Sequence, residues 1–90
     1  MRSDNLMKEG DIMLPRGFKF KYVVDNGDHI DVLGTSEETL NVMGYRRTSV
    51  ILDKDNQFYH VYKKPGRRAE IRVRTLRFMM ETYPHLGLTL

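Results

Sequence analysis

The chain is 90 residues long, contains no cysteine and carries a net charge of +3. Without cysteine there are no disulfides, thiolate nucleophiles, Cys-ligated zinc sites or iron–sulfur clusters. A chain this short buries only about 60–65% of its unfolded surface, and a substrate-sized cleft of about 300 Å³ or more would hollow out much of its core, which weighs against an enzyme and against a small-molecule substrate.

Residues 1–17 show neither a helical nor a strand period, and Pro15 and Gly17 interrupt them, so this segment reads as irregular. Residues 18–90 read as one small domain. Phe18, Phe20, Tyr22 and Val24 alternate with Lys19, Lys21 and Val23, the period-two pattern of a half-buried strand. A second strand runs from His29 to Leu33. A three-residue loop at Asp25–Gly27 pairs Tyr22 with Ile30 and Phe20 with Val32 on a dry face, and sets Lys21 opposite Asp31 on a wet one.

Thr35 followed by Glu38 fits a capping box, and Leu40 and Met43 give the short helix that follows a narrow apolar face, ended by Gly44. Thr48–Leu52 and Gln57–Lys63 are strands joined by a turn at Asp53–Asn56. Both carry apolar residues on both parities, which predicts central strands covered on both faces. Lys64-Pro65-Gly66-Arg67 suits a type II turn. Ala69, Ile71 and Val73 then alternate with Glu70, Arg72 and Arg74, giving a strand with one dry and one charged face. Leu76, Met79, Met80 and Tyr83 fall on one side of a final helix that Thr75 caps and Pro84 ends. Leu86, Leu88 and Leu90 share a parity and suggest either an edge strand in the tail or a frayed end.

These elements predict an α+β fold: a five-stranded, mostly antiparallel sheet in the order β-β-α-β-β-β-α, with two short helices on one face. Such a sheet can curl into a small, partly open barrel.

Motifs that would carry chemistry are missing. His29, His60 and His85 lie in three different elements without ligand spacing, so no metal and no cofactor is expected. Asp53-Lys54-Asp55-Asn56 lacks the glycine and glutamate of a calcium loop. There is no phosphate-cradling loop, nucleophile elbow or metalloprotease motif. No apolar stretch approaches bilayer length, and no charged-then-apolar leader occurs, so no membrane partner and a cytoplasmic setting are expected.

Charge distribution says more than net charge. Residues 1–45 hold five Lys/Arg against eight Asp/Glu, whereas residues 46–90 hold ten against four. The cations Arg46, Arg47, Lys63, Lys64, Arg67, Arg68, Arg72, Arg74 and Arg77, with Tyr59 and Tyr62 among them, form the leading candidate binding surface, and the Met-containing C-terminal helix with its apolar tail is a second. A basic hairpin and strand face of this kind fits an acidic surface on a larger protein, or the phosphates of DNA or RNA with the tyrosines stacking on bases. Glu70 interrupts the cationic strand, which favours the protein partner. In size and composition the chain is similar to small stand-alone regulators encoded by bacteria and their phages. The expectation is therefore a non-catalytic regulatory binding protein, a modulator or adaptor, with a nucleic-acid-binding module as the alternative.

Overall fold

Strands with buried side chains on both parities need cover on both faces of the sheet, and in this chain three such strands set the architecture. The structure, a computed structural model, describes residues 6–7, 22–34 and 36–89. Its elements are β1 (Leu6–Met7), β2 (Tyr22–Asp25), β3 (His29–Leu33), α1 (Glu37–Val42), β4 (Arg46–Leu52), β5 (Phe58–Lys63), β6 (Glu70–Val73) and α2 (Leu76–Thr82). They build one mixed sheet in the order β1-β2-β3-β6-β5-β4. β3 and β6 are parallel, and the other neighbouring pairs are antiparallel.

The α+β class, the five main strands and the order of elements match the expectation. Within the segment 1–17, expected to be irregular, Leu6–Met7 pair with Val23 and Val24, and the remaining residues lie outside the described ones. So do Phe18–Lys21 of the first expected strand. Among the described residues the sheet has two free ends, at β1 and β4, and does not close into a barrel.

β3 and β6 lie side by side in the middle. Val23, Ile30, Val32, Tyr62 and Ile71 point to one face, where Leu40 and Met43 of α1 and the neighbouring Tyr45 complete the main core. Asp31, Val24, Arg72 and Val61 are register partners on the opposite face. There α2 is tied down by the Tyr83 hydroxyl, which donates to Asp31, and by Phe78, stacked on Arg74. The two helices therefore cover opposite faces, which corrects the expectation of one shared face. Ile30, Asp31 and Val32 are all buried, and a strand like that cannot leave either side in water.

The β2–β3 hairpin corrects the expected register for the same reason. Tyr22 pairs with Leu33, Val23 with Val32, Val24 with Asp31 and Asp25 with Ile30. The loop is the two residues Gly27 and Asp28, closed by the Asn26 N–H donating to the His29 carbonyl at 2.8 Å. Gly27 has φ 92°, and a two-residue type II′ turn asks for glycine at its first position. The three-residue loop rested on Asp31 facing water, and Asp31 faces inward.

Three further differences concern ends and edges. Ser36 caps α1 by accepting from the Thr39 N–H at 3.2 Å, while Thr35 lies outside the described residues. The tail folds as a 3-10 turn at Pro84–Leu86 followed by left-handed Gly87, so no edge strand forms there among the described residues. β4, expected at the centre, is the edge strand and is exposed along all seven residues. Apolar residues on both parities signal double burial only when a neighbour lies on each side, and pattern alone does not report a strand's place in the sheet. The type II turn does form, with Gly66 at φ 83° and the Arg67 N–H donating to the Lys64 carbonyl at 3.0 Å.

α1 has under two turns, too short to persist by itself, and Leu40 is its one fully buried side chain. Leu40→Ala is expected to lower unfolding free energy by about 2–5 kcal/mol, whereas the exposed Val42→Ala should change it by less than about 0.5 kcal/mol. Urea denaturation of both variants checks this; equal effects would mean that α1 is not anchored through Leu40.

Candidate functional site

The β4–β5 ladder and the β5–β6 turn decide which cations meet. Arg46 pairs in register with Lys63, and Arg47 with Tyr62. Lys64, Arg67 and Arg68 occupy the turn that follows Lys63. Six of the nine expected cations, Arg46, Arg47, Lys63, Lys64, Arg67 and Arg68, are thus gathered at one end of the sheet by three segments. Two of them are held in place. Arg46 Nη1 donates to the carbonyls of Asn41 and Tyr45, both at 3.0 Å, at the negative end of α1. The Lys64 stem packs on Gly44, and its ammonium lies 5.6 Å from the centre of the Tyr45 ring. Gly44 has φ 97°, and a Cβ there would meet Lys64 Cε at 3.1 Å.

Among the described residues, Glu70 is the one carboxylate that reaches a cation of this group, at 4.0 Å from Lys63 Nζ. Glu70 is also bonded to Arg72 Nε at 2.7 Å, which divides its charge. Arg47, Arg67 and Arg68 are exposed and have no carboxylate within bonding distance among the described residues.

The other expected site residues do not join this end. Tyr62 is buried in the main core and has no face to offer a base. Arg72 and Arg74 share a face as expected, but it is the one that α2 covers. Arg74 is sandwiched between the rings of Tyr59 and Phe78, at 4.0 and 3.4 Å from their centres, and its Nη2 donates to Asp53 at 3.1 Å. Burial lowers the Arg74 pKa, and Asp31 and Asp53 act against that shift. Tyr59 is half-buried beneath this arginine. Arg77 is exposed on α2 and pairs with Glu81 one turn on.

What sequence reasoning missed is a polar network around Asp31, on the α2 face. It lines an open cleft of about 610 Å³ between the β2–β3 turn, the β4–β5 turn and α2, a volume that the length of the chain was expected to preclude. Asp31 is 1% exposed. Its Oδ2 accepts from the Tyr83 hydroxyl and, at 3.3 Å, from Asn26 Nδ2, which also donates to Tyr83 Oη at 2.8 Å. His29 lies alongside, with Nε2 3.7 Å from Asp31 and Nδ1 2.7 Å from Asp28. That contact with His29 holds the Asp28 carboxyl below its ordinary range. Burial and the hydrogen bond to Asp31 push the Tyr83 phenol up to about 12.

This network faces inward. Asp31 Oδ1 and Arg74 Nε have no hydrogen-bond partner among the described residues, yet neither has open surface through which a bound molecule could touch it. The His29 nitrogens contact Asp28 on one side and Asn26 and Asp31 on the other. The arrangement is a latch that seats the C-terminal segment on the sheet. The available sequence signal was an acid between two aliphatics, Ile30-Asp31-Val32. Alternation turned it outward; only the parallel partner β6 and the covering Tyr83 turn it inward.

No helix among the described residues is long and apolar enough to cross a membrane. Comparison with known proteins returned no matching family model, no matching curated protein and no matching solved structure.

Tyr83→Phe removes a donor from a buried carboxylate and is expected to destabilise the fold by about 1–3 kcal/mol at neutral pH. The folded state holds the Tyr83 phenol neutral up to about pH 12, against an ordinary value of 10.0. The unfolded chain therefore releases this proton first. The stabilisation is whole below pH 10 and is lost as pH rises through about 12. Urea midpoints of the wild type and Tyr83→Phe should accordingly converge across that window; a gap independent of pH would refute the latch.

Proposed function

We propose that the protein is a non-catalytic regulatory binding protein of the cytoplasm, a modulator or adaptor that engages an acidic surface of a larger protein. The contact is made by the basic end of the sheet: Arg46, Arg47, Lys63, Lys64, Arg67 and Arg68. The observation that carries this reading is the convergence of these six cations from three segments, of which only Lys63 reaches a carboxylate, Glu70, among the described residues.

Two physical features support it. Arg46 and Lys64 are already immobilised on α1 and Tyr45, so less side-chain freedom is lost on binding. Around them Arg47, Arg67 and Arg68 stay exposed, and rim charges of this kind set encounter rate and orientation more than raw affinity. Arg72, Arg74 and Arg77, with Tyr59 and Tyr62, are not part of this contact.

The same cations suit phosphates, which keeps a nucleic-acid module as the competing reading. Single-strand binders add aromatic platforms on which bases stack. Tyr62 is inside the core, and Tyr59 lies under Arg74. Neither is placed to stack beside the basic end, which favours a protein partner.

Fluorescence anisotropy with a labelled polyglutamate peptide, duplex DNA, single-stranded DNA and RNA, at two salt concentrations, separates the two. Binding to the acidic peptide is expected to exceed binding to the nucleic acids. Arg47/Arg67/Arg68→Ala should stay folded and lose about tenfold in affinity, since exposed charge pairs contribute about 0.2–1 kcal/mol each. Tighter binding to nucleic acid with a steep salt slope would replace the protein reading by the nucleic-acid one. Undiminished binding by the triple variant would remove the basic end from both.

A further inference from the structure

We propose that the β4 edge is a self-association surface, on which a second copy of this chain pairs its own β4 antiparallel and continues the sheet across a two-fold axis. The inference does not depend on the function proposed above.

An edge strand offers a row of unpaired N–H and C=O groups to any other strand, and natural edges are blunted by shortness, Pro, Lys or bulges. β4 is seven residues long, Arg46-Arg47-Thr48-Ser49-Val50-Ile51-Leu52, with neither Pro nor Lys. Its one irregularity falls between Arg47 and Ser49 and leaves Ser49–Leu52 in regular register with β5. In that stretch Val50 is 49% exposed, Ile51 38% and Leu52 51%, and Phe58, the register partner of Leu52, is 58% exposed. Among the described residues nothing pairs with this edge, and three consecutive aliphatics line it, with Phe58 beside them on β5.

The backbone directions follow from the turn. The Asp53 N–H donates to the Gln57 carbonyl at 3.0 Å, so Asp53 and Gln57 form a hydrogen-bonded pair. Antiparallel pairs alternate. Ile51 opposite Tyr59 is then the next hydrogen-bonded pair, and Val50 and Leu52 turn their N–H and C=O groups away from β5. Those are the groups a further strand would take.

Charge selects the occupant. β4 begins with Arg46 and Arg47 and is followed at once by Asp53 and Asp55, with Lys54 between. A second β4 laid antiparallel, with Val50 opposite Val50, sets Ser49 against Ile51 of the other copy. It also sets Arg47 of each copy opposite Asp53 and near Asp55 of the other, while Arg46, held on the Asn41 and Tyr45 carbonyls, falls opposite Lys54. A parallel copy would stack arginine on arginine. The contact is isologous, so two copies saturate it and leave no growing end at β4.

Light-scattering detection on size exclusion, from micromolar to near-millimolar protein, tests this directly. The wild type should approach twice the 10.6 kDa chain mass as concentration rises. Because residue 50 would face itself, Val50→Lys and Val50→Glu should each remain at monomer mass, and an equimolar mixture of the two should recover the dimer. Amide exchange on the wild type gives a second measurement free of substitutions: Val50 and Leu52 should exchange more slowly at high concentration, while amides bonded to β5 do not change. A wild type that stays monomeric throughout overturns the proposal. So does a dimer that survives Val50→Lys, or a mixture that fails to reassociate.

Discussion

A carboxylate removed from water must find donors, because a buried charge without partners is strongly destabilising. Asp31 sits at the middle of β3 with 1% exposure, and much of the molecule is arranged by what it needs. Tyr83 and Asn26 donate to it, so the segment after α2 must cross the face opposite α1 and the β2–β3 turn must bring Asn26 back over the strand. Arg72 and Arg74 follow onto the same face, because β6 runs parallel to β3 with Arg72 in register with Asp31. Their positive charge is thereby spent within the fold, with Glu70, Asp53 and two aromatic rings.

That internal use of charge leaves the remaining cations to set the charge of the surface. Once Arg72 and Arg74 are enclosed, the basic excess of the second half is expressed at the sheet end where Arg46, Arg47, Lys63, Lys64, Arg67 and Arg68 meet. The neighbouring strand edge is apolar where it leaves that end. β4 thus presents cations at its start and open backbone beside aliphatics in its second half. The two surfaces differ in chemistry: one is electrostatic and sensitive to salt, the other depends on main-chain pairing and apolar burial.

Much of this was legible residue by residue. Thr75 caps α2 as its hydroxyl and position predicted, Gly66 takes the left-handed place in the type II turn, and the strands around Ile71 and Val61 lie where their apolar runs placed them. The hairpin tip carrying Lys64, Arg67 and Arg68 could be foreseen because turn chemistry is local. Tyr62 and Arg74 could not be assigned correctly, since an aromatic or a long cation on a strand has the same pattern whether its face is covered or bare. Asp31 was the deepest miss: an acid between aliphatics reads as outward until a tyrosine fifty-two residues later is known to reach it.

The sequence by itself determined much of the local grammar: the five main extended segments, the type II turn at Lys64–Arg67, the cap of the final helix and the concentration of basic charge in the second half. These depend on interactions among residues a few positions apart. Only the tertiary structure decided that β3 lies beside β6, that the helices cover opposite faces and that β4 is the edge. Those choices set which polar groups are buried and which cations remain at the surface. They are made by contacts between segments distant in the chain, and the pattern of any one strand does not encode its neighbours.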